Sequence, residues 1–301
     1  MNERDVKGVA LGLVLLGAAG CDDPLSPVDA IDGSRVLGAK VEVAGDPTRA
    51  SPLPGEDVTV RWLVVAPDPA ATFAYHFDAC VAADSSSDLA ACAGGALATA
   101  ESVEPVAEPP VVSFTAPTDA ASGARLAVVG GVCSAGIALA GSDTAACSDG
   151  SRFLAANDDF FTDDGSAPNT NPALTDISLN DLVLGPETAT STDCATLPSI
   201  GVGTGPRTLA VKLDPASRDP LVQANSADPA RESLLLSYFV TRGNLDHAFS
   251  AIEADDPDVS GSVVWTPPPH ADAPTLARFV FVVRDGRGGS DFTERRLCVV
   301  P

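Results

Sequence analysis

Short runs of alternating apolar and polar residues recur along the whole chain, and they restrict its fold more than any other feature. In DVTVRWLVVA, residues 57–66, the alternate apolar side chains fall on one face of an extended strand, while Thr59 and Arg61 fall on the other. Clusters of Pro, Gly, Asp and Ser separate these runs, and helical periodicity is hard to find. Many short strands with turn residues between them are typical of β-sandwiches. The sequence therefore predicts an all-β protein.

The strand-like runs form two groups on either side of an acidic segment. The first group occupies residues 35–156 and includes TFAYHFDAC, PVVSFTA and ARLAVVGGVC. The segment NDDFFTDDGSAPNTNPA, residues 157–173, is rich in Asp, Asn, Pro and Gly, which predicts a linker or a long connecting loop. The second group, residues 174–301, includes LLLSYFVT, SVVWT and ARFVFVVRD. In the last of these, alternation places Phe279, Phe281 and Val283 opposite Val280 and Val282. Two tandem β-sandwich domains are expected.

Two stretches resemble known β-sandwich families. PGEDVTVRWLVV, residues 54–65, is similar to the early strands of bacterial Ig-like modules. SVVWTPP followed by FVFVVRDGRGGSDFTERRLCVV resembles the end of PKD-like and cadherin-like domains, where a glycine hairpin precedes the last strand. The hairpin, residues 284–289, needs glycine for backbone dihedrals that other residues resist. The resemblance implies an Ig-like sandwich for each domain and names no ligand.

The first 20 residues have the pattern of an export signal. Residues 8–19 are apolar without a break, which is about a dozen residues, whereas a bilayer core takes about 20. Small residues precede Cys21, and this resembles the lipobox of bacterial lipoproteins, in which the cysteine is diacylated and becomes the new N-terminus. The leucine usual three residues before the cysteine is replaced by Ala18. The alternative is an ordinary cleaved signal with a leftover cysteine.

The lipobox resemblance predicts where the protein resides. Two or more acyl chains on Cys21 would hold it stably at a membrane. Residues 22–34 carry too little apolar content to fold, so residues 21–34 are predicted to be the lipidated cysteine and a flexible tether. The whole arrangement resembles envelope lipoproteins of GC-rich Gram-negative bacteria. It implies attachment to the inner or outer membrane, facing the periplasm or the cell surface.

The remaining cysteines predict a disulfide set. Six are left once Cys21 is removed, and an even number in an exported protein indicates an oxidising compartment. None is spaced as C-x-x-C, so zinc and thioredoxin-like chemistry have no support. We predict the pairs that keep every bridge inside one domain, namely Cys80–Cys92, Cys133–Cys147 and Cys194–Cys298. The alternative is an exchange of partners among the first four cysteines, such as a bridge between Cys80 and Cys133.

No catalytic signature is present in the sequence. G-x-S-x-G, H-E-x-x-H and P-loop patterns are absent, and the G-x-G-x-G at residues 201–205 is not framed by a strand and a helix. His76 shares a strand face with Asp78 but has no third ligand nearby in sequence. Asp246-His247 is a chance dipeptide, and His270 belongs to a proline-rich loop. We predict no catalytic residue.

Two acidic clusters are the candidates for a cation site. Calcium takes six to eight oxygen ligands, and cadherin-like proteins place such ligands between tandem domains. Neither cluster matches the D-x-[DN]-x-[DN]-G loop, and acidic loops are expected by chance on a chain with a net charge of −23. No cofactor is predicted, with calcium at the interdomain cluster as the alternative. That cluster comprises Asp158, Asp159, Asp163 and Asp164 with Asn169 and Asn171, and the second comprises Glu253, Asp255, Asp256 and Asp258.

These observations predict a lipid-anchored cell-envelope protein of binding, adhesion or spacer type that is not an enzyme. Its partners would be the membrane, through the lipid, and an envelope protein or a carbohydrate. The net charge of −23 argues against nucleic acid. The alternative is an envelope hydrolase with a site assembled from sandwich loops, which the scarcity of histidine and the lack of a nucleophile setting disfavour.

Overall fold

The computed structural model describes residues 27–83, 91–139, 146–163, 168–221 and 230–301. This part of the chain is all-β, as predicted, and its helical elements are two short 3-10 turns, Pro186–Ala189 and Pro215–Ser217. The predicted signal peptide, Cys21 and the start of the predicted tether lie outside the described residues. No helix in the described ranges is long and apolar enough to cross a membrane.

The first sandwich packs a three-stranded sheet, β1-β2-β5, against a four-stranded sheet, β4-β3-β6-β9. The alternation predicted for residues 57–66 places Val58, Val60 and Trp62 in the core, where Trp62 stacks on Phe77 with ring centroids 4.5 Å apart. β7 and β8 form a separate two-stranded antiparallel sheet. The strands are β1 Arg35–Val43, β2 Asp57–Val65, β3 Ala74–Val81, β4 Ala98–Glu101, β5 Val111–Thr115, β6 Arg125–Cys133, β7 Ala138–Leu139, β8 Ala146–Cys147 and β9 Leu154–Phe161.

The second sandwich packs two five-stranded sheets, β11-β10-β13-β19-β17 and β12-β21-β20-β16-β18. Its core centres on Trp265 and Phe279, whose rings meet edge to face at 5.1 Å. β14 and β15 form a separate two-stranded antiparallel sheet. The strands are β10 Leu174–Leu179, β11 Leu182–Val183, β12 Ser199–Gly201, β13 Arg207–Leu213, β14 Pro220–Leu221, β15 Ala230–Arg231, β16 Leu234–Val240, β17 Asn244–Leu245, β18 Phe249–Ile252, β19 Ser260–Thr266, β20 Thr275–Arg284 and β21 Ser290–Val300.

Both sandwiches have the same Ig-like connectivity. In the first, the main strands in chain order are β1 to β6 and then β9; in the second they are β10, β13, β16, β18, β19, β20 and β21. In each set the first, second and fifth strands form one sheet, and the fourth, third, sixth and seventh are neighbours in the other. This division of a seven-stranded Greek key between two sheets is that of Ig-type domains.

The two sandwiches share a buried apolar interface. Val280 and Val282 lie on the outer face of β20, opposite the core residues of that strand, and both are fully buried. They pack against Leu37 and Val65 of the first sandwich, with Ile31 completing the cluster. Burial on both faces explains why β20 is apolar almost throughout, since an outer face in water would carry polar residues. The sandwiches are therefore in direct contact.

The predicted domain limits need two corrections. β9 continues through Phe161, so residues 157–161 form an edge strand of the first sandwich, and Phe160 is fully buried in its core. At the N-terminus, Ile31 donates its backbone N–H to the Val240 carbonyl at 2.8 Å, and Val240 donates to the Asp29 carbonyl. The last residues of the predicted tether are therefore paired with the second sandwich. The sequence analysis assigned residues 157–161 to a linker and residues 29–31 to the tether, because both lie in stretches whose acidic composition is typical of loops.

Candidate functional site

The clearest concentration of buried charge lies at the junction between the two sandwiches. The turn between β20 and β21, residues 284–289, rests on β9 of the first sandwich. Gly288 has a φ of +101°, and a Cβ built on it would lie 2.6 Å from the Cβ of Phe160. Glycine is needed here for both the backbone conformation and the close approach. The hairpin glycines predicted from sequence thus also make a contact between domains.

Asp158 faces this turn from β9. Its Oδ2 atom is buried and has no hydrogen-bond partner within the described part of the chain. Burial raises the pKa of Asp158 to about 7, and the neighbouring carboxylates of Asp159 and Asp285 act in the same direction. The guanidinium of Arg284 opposes that rise. Asp158 is therefore a carboxyl group that changes its protonation near neutral pH.

Asp159 has a different role on the same strand. Its Oδ2 atom accepts a hydrogen bond from the Arg125 guanidinium of β6 at 2.7 Å, and this contact raises the pKa of Arg125. Asp163 donates its backbone N–H to the Pro52 carbonyl, which attaches the end of the strand to the first sandwich. Asp164 lies outside the described residues. The four predicted calcium ligands are thus distributed along a strand and the segment that follows it.

A second group of charged side chains surrounds Arg287 of this turn. Arg287 contacts the carboxylates of Asp219 at 2.9 Å and Glu232 at 3.0 Å, and Asp219 also accepts hydrogen bonds from the backbone and the hydroxyl of Thr170. Burial raises the pKa of Glu232 to about 7, against the lowering effect of the Asp219 backbone N–H and Arg287. Asp285 accepts the backbone N–H groups of Arg287 and Gly289. Through Asp219, these side chains connect the turn to Thr170 in the segment between the two sandwiches.

Two asparagines at the end of the connecting segment, Asn169 and Asn171, are buried between the sandwiches. Asn171 donates its side-chain amide to the Val41 carbonyl at 2.6 Å and accepts the Ser290 backbone N–H at 3.0 Å, so one side chain joins both domains. Asn169 bonds to the Ser51 hydroxyl through its backbone N–H and to Ala50 through its carbonyl. Both asparagines belong to the acidic cluster given above as the alternative calcium site. The Asn171 side chain instead joins the two domains, whereas the buried side-chain amide of Asn169 has no hydrogen-bond partner among the described residues.

A small cleft remains between β9 and the turn. Its volume is about 190 Å³, and its charged lining consists of Asp158, Asp159, Arg284 and Arg287. Mixed charges of this kind neutralise one another, and among the described residues the lining contains no cysteine, histidine, tyrosine or lysine. The arrangement can hold water molecules and exchange a proton at Asp158. Only the acidic residues were identifiable from sequence, because the arginines come from the other domain.

The other predicted candidates lie apart from this junction. His76 lies 3.4 Å from both Asp78 and Glu101, on adjacent strands of the first sandwich. Glu253 and Asp256 close a local turn, in which the Glu253 backbone N–H bonds to Asp256 at 2.9 Å. Across the ranges that the structure covers, no group of three His, Cys, Asp or Glu side chains could hold a metal ion. Calcium at residues 158–164 stays a prediction, since Asp164 is outside those ranges.

Three disulfide bonds join the six paired cysteines. They are Cys80–Cys92, Cys133–Cys147 and Cys194–Cys298, with Cα atoms 5.5, 5.7 and 5.3 Å apart. These are the pairs chosen from sequence, and each lies within one sandwich. The third ties the segment before β12 to the last strand, across 104 residues. Three such bonds are typical of a protein that folds outside the reducing cytoplasm.

Comparisons with known proteins add no family. No protein-family model matches the sequence, and no curated protein matches it. Among solved structures, Salmonella alpha-2-macroglobulin reacted with methylamine has 12% identity over 90% of this chain and 15% of that chain, with a TM-score of 0.25.

Two further solved structures are similarly distant. Dimeric latent PorU from Porphyromonas gingivalis has 14% identity over 87% of this chain and 24% of that one, with a TM-score of 0.21. CBD12 from CALX1.2 has 11% identity over 87% of this chain and 100% of that one, with a TM-score of 0.21. This chain spans less than a quarter of the length of the first two proteins. At these scores the similarities carry no argument about function.

Proposed function

We propose that the protein is a lipid-anchored, non-catalytic cell-envelope protein that presents two Ig-like sandwiches in a defined arrangement for binding, adhesion or spacing. One observation carries this proposal: the junction is a buried contact made of an apolar cluster, the Asn171 bridge and the Lys40–Asp291 ion pair. Buried contacts of this kind restrict movement between the domains. Loops of both sandwiches then keep a fixed spacing, which suits recognition of a partner at a distance from the membrane.

Anchoring is tested at Cys21. We expect Cys21→Ser to move the full-length protein from the membrane fraction to the soluble fraction, or to stall its processing. Ala18→Leu is the matched control, because it restores the usual lipobox leucine and should leave the protein in the membrane fraction with an acylated N-terminus. Equal partitioning of the Cys21→Ser variant and the wild type, with no acyl mass on the mature N-terminus, would exclude the lipoprotein assignment.

The calcium proposal is tested separately. Cation binding to Asp158, Asp163 and their neighbours would stabilise the folded state by mass action. The melting temperature of the full-length protein should then rise in millimolar calcium relative to chelator. The absence of both a shift and a calorimetric binding signal would exclude calcium binding by these carboxylates.

A hydrolase is the second candidate, and one observation favours it. Asp158 lines an open cleft, and a pKa of about 7 is suitable for a general acid or base. Its neighbour Asp159 is held by Arg125, so a second catalytic group is harder to assign. A screen of the full-length protein against esterase, peptidase and glycosidase substrates separates the two functions. Turnover that Asp158→Asn abolishes would establish the hydrolase.

A further inference from the structure

In the sheet β12-β21-β20-β16-β18 of the second sandwich, the apolar outer face extends beyond the contact between the sandwiches. Phe239, Val280 and Val282 belong to the part that the first sandwich covers. On the same face, toward the sheet edge, Leu235 is 41% exposed and Phe249 is 61% exposed. Ser237 is paired with Phe249 on one side and with the buried Val282 on the other, so this exposed patch adjoins the buried interface. Exposed apolar surface next to an interface is typical of a binding site.

The backbone of the edge strand β18 is also open. β18 pairs with β16 on one side, and the Tyr238 backbone N–H bonds to the Ala248 carbonyl at 2.8 Å. Because hydrogen-bonded and non-hydrogen-bonded pairs alternate along antiparallel strands, the backbone groups of Phe249 and Ala251 point away from β16. No residue in the described part of the chain bonds to them. An edge of this kind is a template for a further strand.

The charges beside β18 indicate what kind of strand would fit. Four exposed carboxylates follow the strand within a few residues: Glu253, Asp255, Asp256 and Asp258. If two copies of the chain paired through β18, the two-fold axis would bring this acidic group beside Asp246 of the other copy. Like charges placed together oppose association, and the net charge of −23 adds to the repulsion. A segment that carries lysine or arginine would instead be attracted.

We propose that the open edge of β18 binds an extended segment of a partner protein by strand addition. The segment supplies backbone hydrogen bonds to Phe249 and Ala251, an apolar side chain against Phe249 and Leu235, and basic residues beside the acidic group at 253–258. Main-chain pairing gives affinity and side-chain contacts give specificity in this mode of recognition. The inference rests on the proposed binding role and assigns that role a surface and a partner chemistry.

The test uses synthetic peptides of alternating valine and threonine, with lysines at the N-terminal end or at the C-terminal end. Labelled peptides are titrated with the full-length protein, and binding is followed by fluorescence anisotropy. An antiparallel added strand places its N-terminal end beside residues 253–258, so one of the two peptides should bind more tightly. A glutamate-flanked peptide should bind least, and added salt should reduce the difference.

The decisive variant is Ala251→Pro. Proline removes the outward N–H of position 251 without affecting the ladder to β16, and it is tolerated on edge strands in this orientation. We expect it to weaken peptide binding by roughly tenfold or more. Ser113→Pro is the matched control, because Ser113 is an exposed residue on the edge strand β5 of the first sandwich. It should leave binding unchanged.

Three binding results would overturn the inference. They are equal binding by wild type and Ala251→Pro, equal loss in Ala251→Pro and Ser113→Pro, and no preference for either lysine-flanked peptide over the glutamate-flanked one. A dimer in sedimentation that Ala251→Pro dissociates would also overturn it, because the edge would then belong to a second copy. None of these results affects the membrane fractionation of Cys21→Ser, so failure of the edge is distinguishable from failure of the proposed anchoring.

Discussion

Asp158 should make the stability of the protein depend on pH, and Asp158→Asn should remove the part of that dependence that Asp158 contributes. The pKa of this carboxyl group rises from 3.8 to about 7 on folding. Between these values the folded state holds a proton that the unfolded chain has released. The contribution is therefore fully present below pH 3.8 and is lost as the pH rises through about 7.

The size of the effect follows from the pKa difference. A shift of about three units corresponds to about 4 kcal/mol, at 1.36 kcal/mol per unit. Asparagine has nearly the shape of the protonated acid and does not ionise. At pH 4 the variant and the wild type should therefore have similar free energies of unfolding. By pH 8 Asp158→Asn should be the more stable protein by about 4 kcal/mol.

The assay is urea unfolding of both proteins at several pH values between 4 and 8, with the disulfides intact. Glu232 and Asp285 also have raised pKa values, so the variant retains part of the slope, and the difference between the two proteins is the quantity to follow. Asp159→Asn is the control, because it removes an equal charge from the same strand and breaks the ion pair with Arg125. A difference that does not change with pH, or the same change in Asp159→Asn, would refute the role assigned to Asp158.

Four further substitutions test the junction and the disulfides. Gly288→Ala should destabilise the protein by about 2–4 kcal/mol in urea unfolding, because it adds strain at a φ of +101° and a clash with Phe160; equal stability would contradict the close contact. Asn171→Ala should cost about 1–3 kcal/mol and broaden or split the unfolding transition, since it leaves the Val41 carbonyl and the Ser290 N–H without their partner. Cys194→Ser should destabilise the second sandwich by about 4.7 kcal/mol, because the Cys194–Cys298 bridge spans 104 residues. Cys80→Ser should destabilise the first sandwich by about 3 kcal/mol, because the Cys80–Cys92 bridge spans 12 residues. Thermal melting that ranks the two variants in the opposite order would contradict the loop-closure argument.

Strand content and disulfide pairing were accessible from the sequence for a local reason. Alternation at positions 57–65 and 279–283 records which face of a strand meets a core, and the structure places Trp62 and Phe279 accordingly. The even number of cysteines and the requirement that each bridge lie within one domain depend only on positions along the chain. Gly286 and Gly288 predicted a turn from the sequence, and in the structure both adopt positive φ.

The junction could not be obtained in the same way, because its parts are brought together only by the packing of one domain on the other. Asp158 and Asp159 have identical side chains and adjacent positions, yet one is buried beside Arg284 and the other pairs with Arg125. Nothing local distinguishes them. Composition predicted that residues 157–173 are a linker, whereas contacts with Asp219 and Ser290 make Thr170 and Asn171 part of a buried interface. The sequence by itself determined strands, turns and covalent bonds, and tertiary structure decided which acidic residues became buried, because burial depends on surfaces contributed by distant parts of the chain.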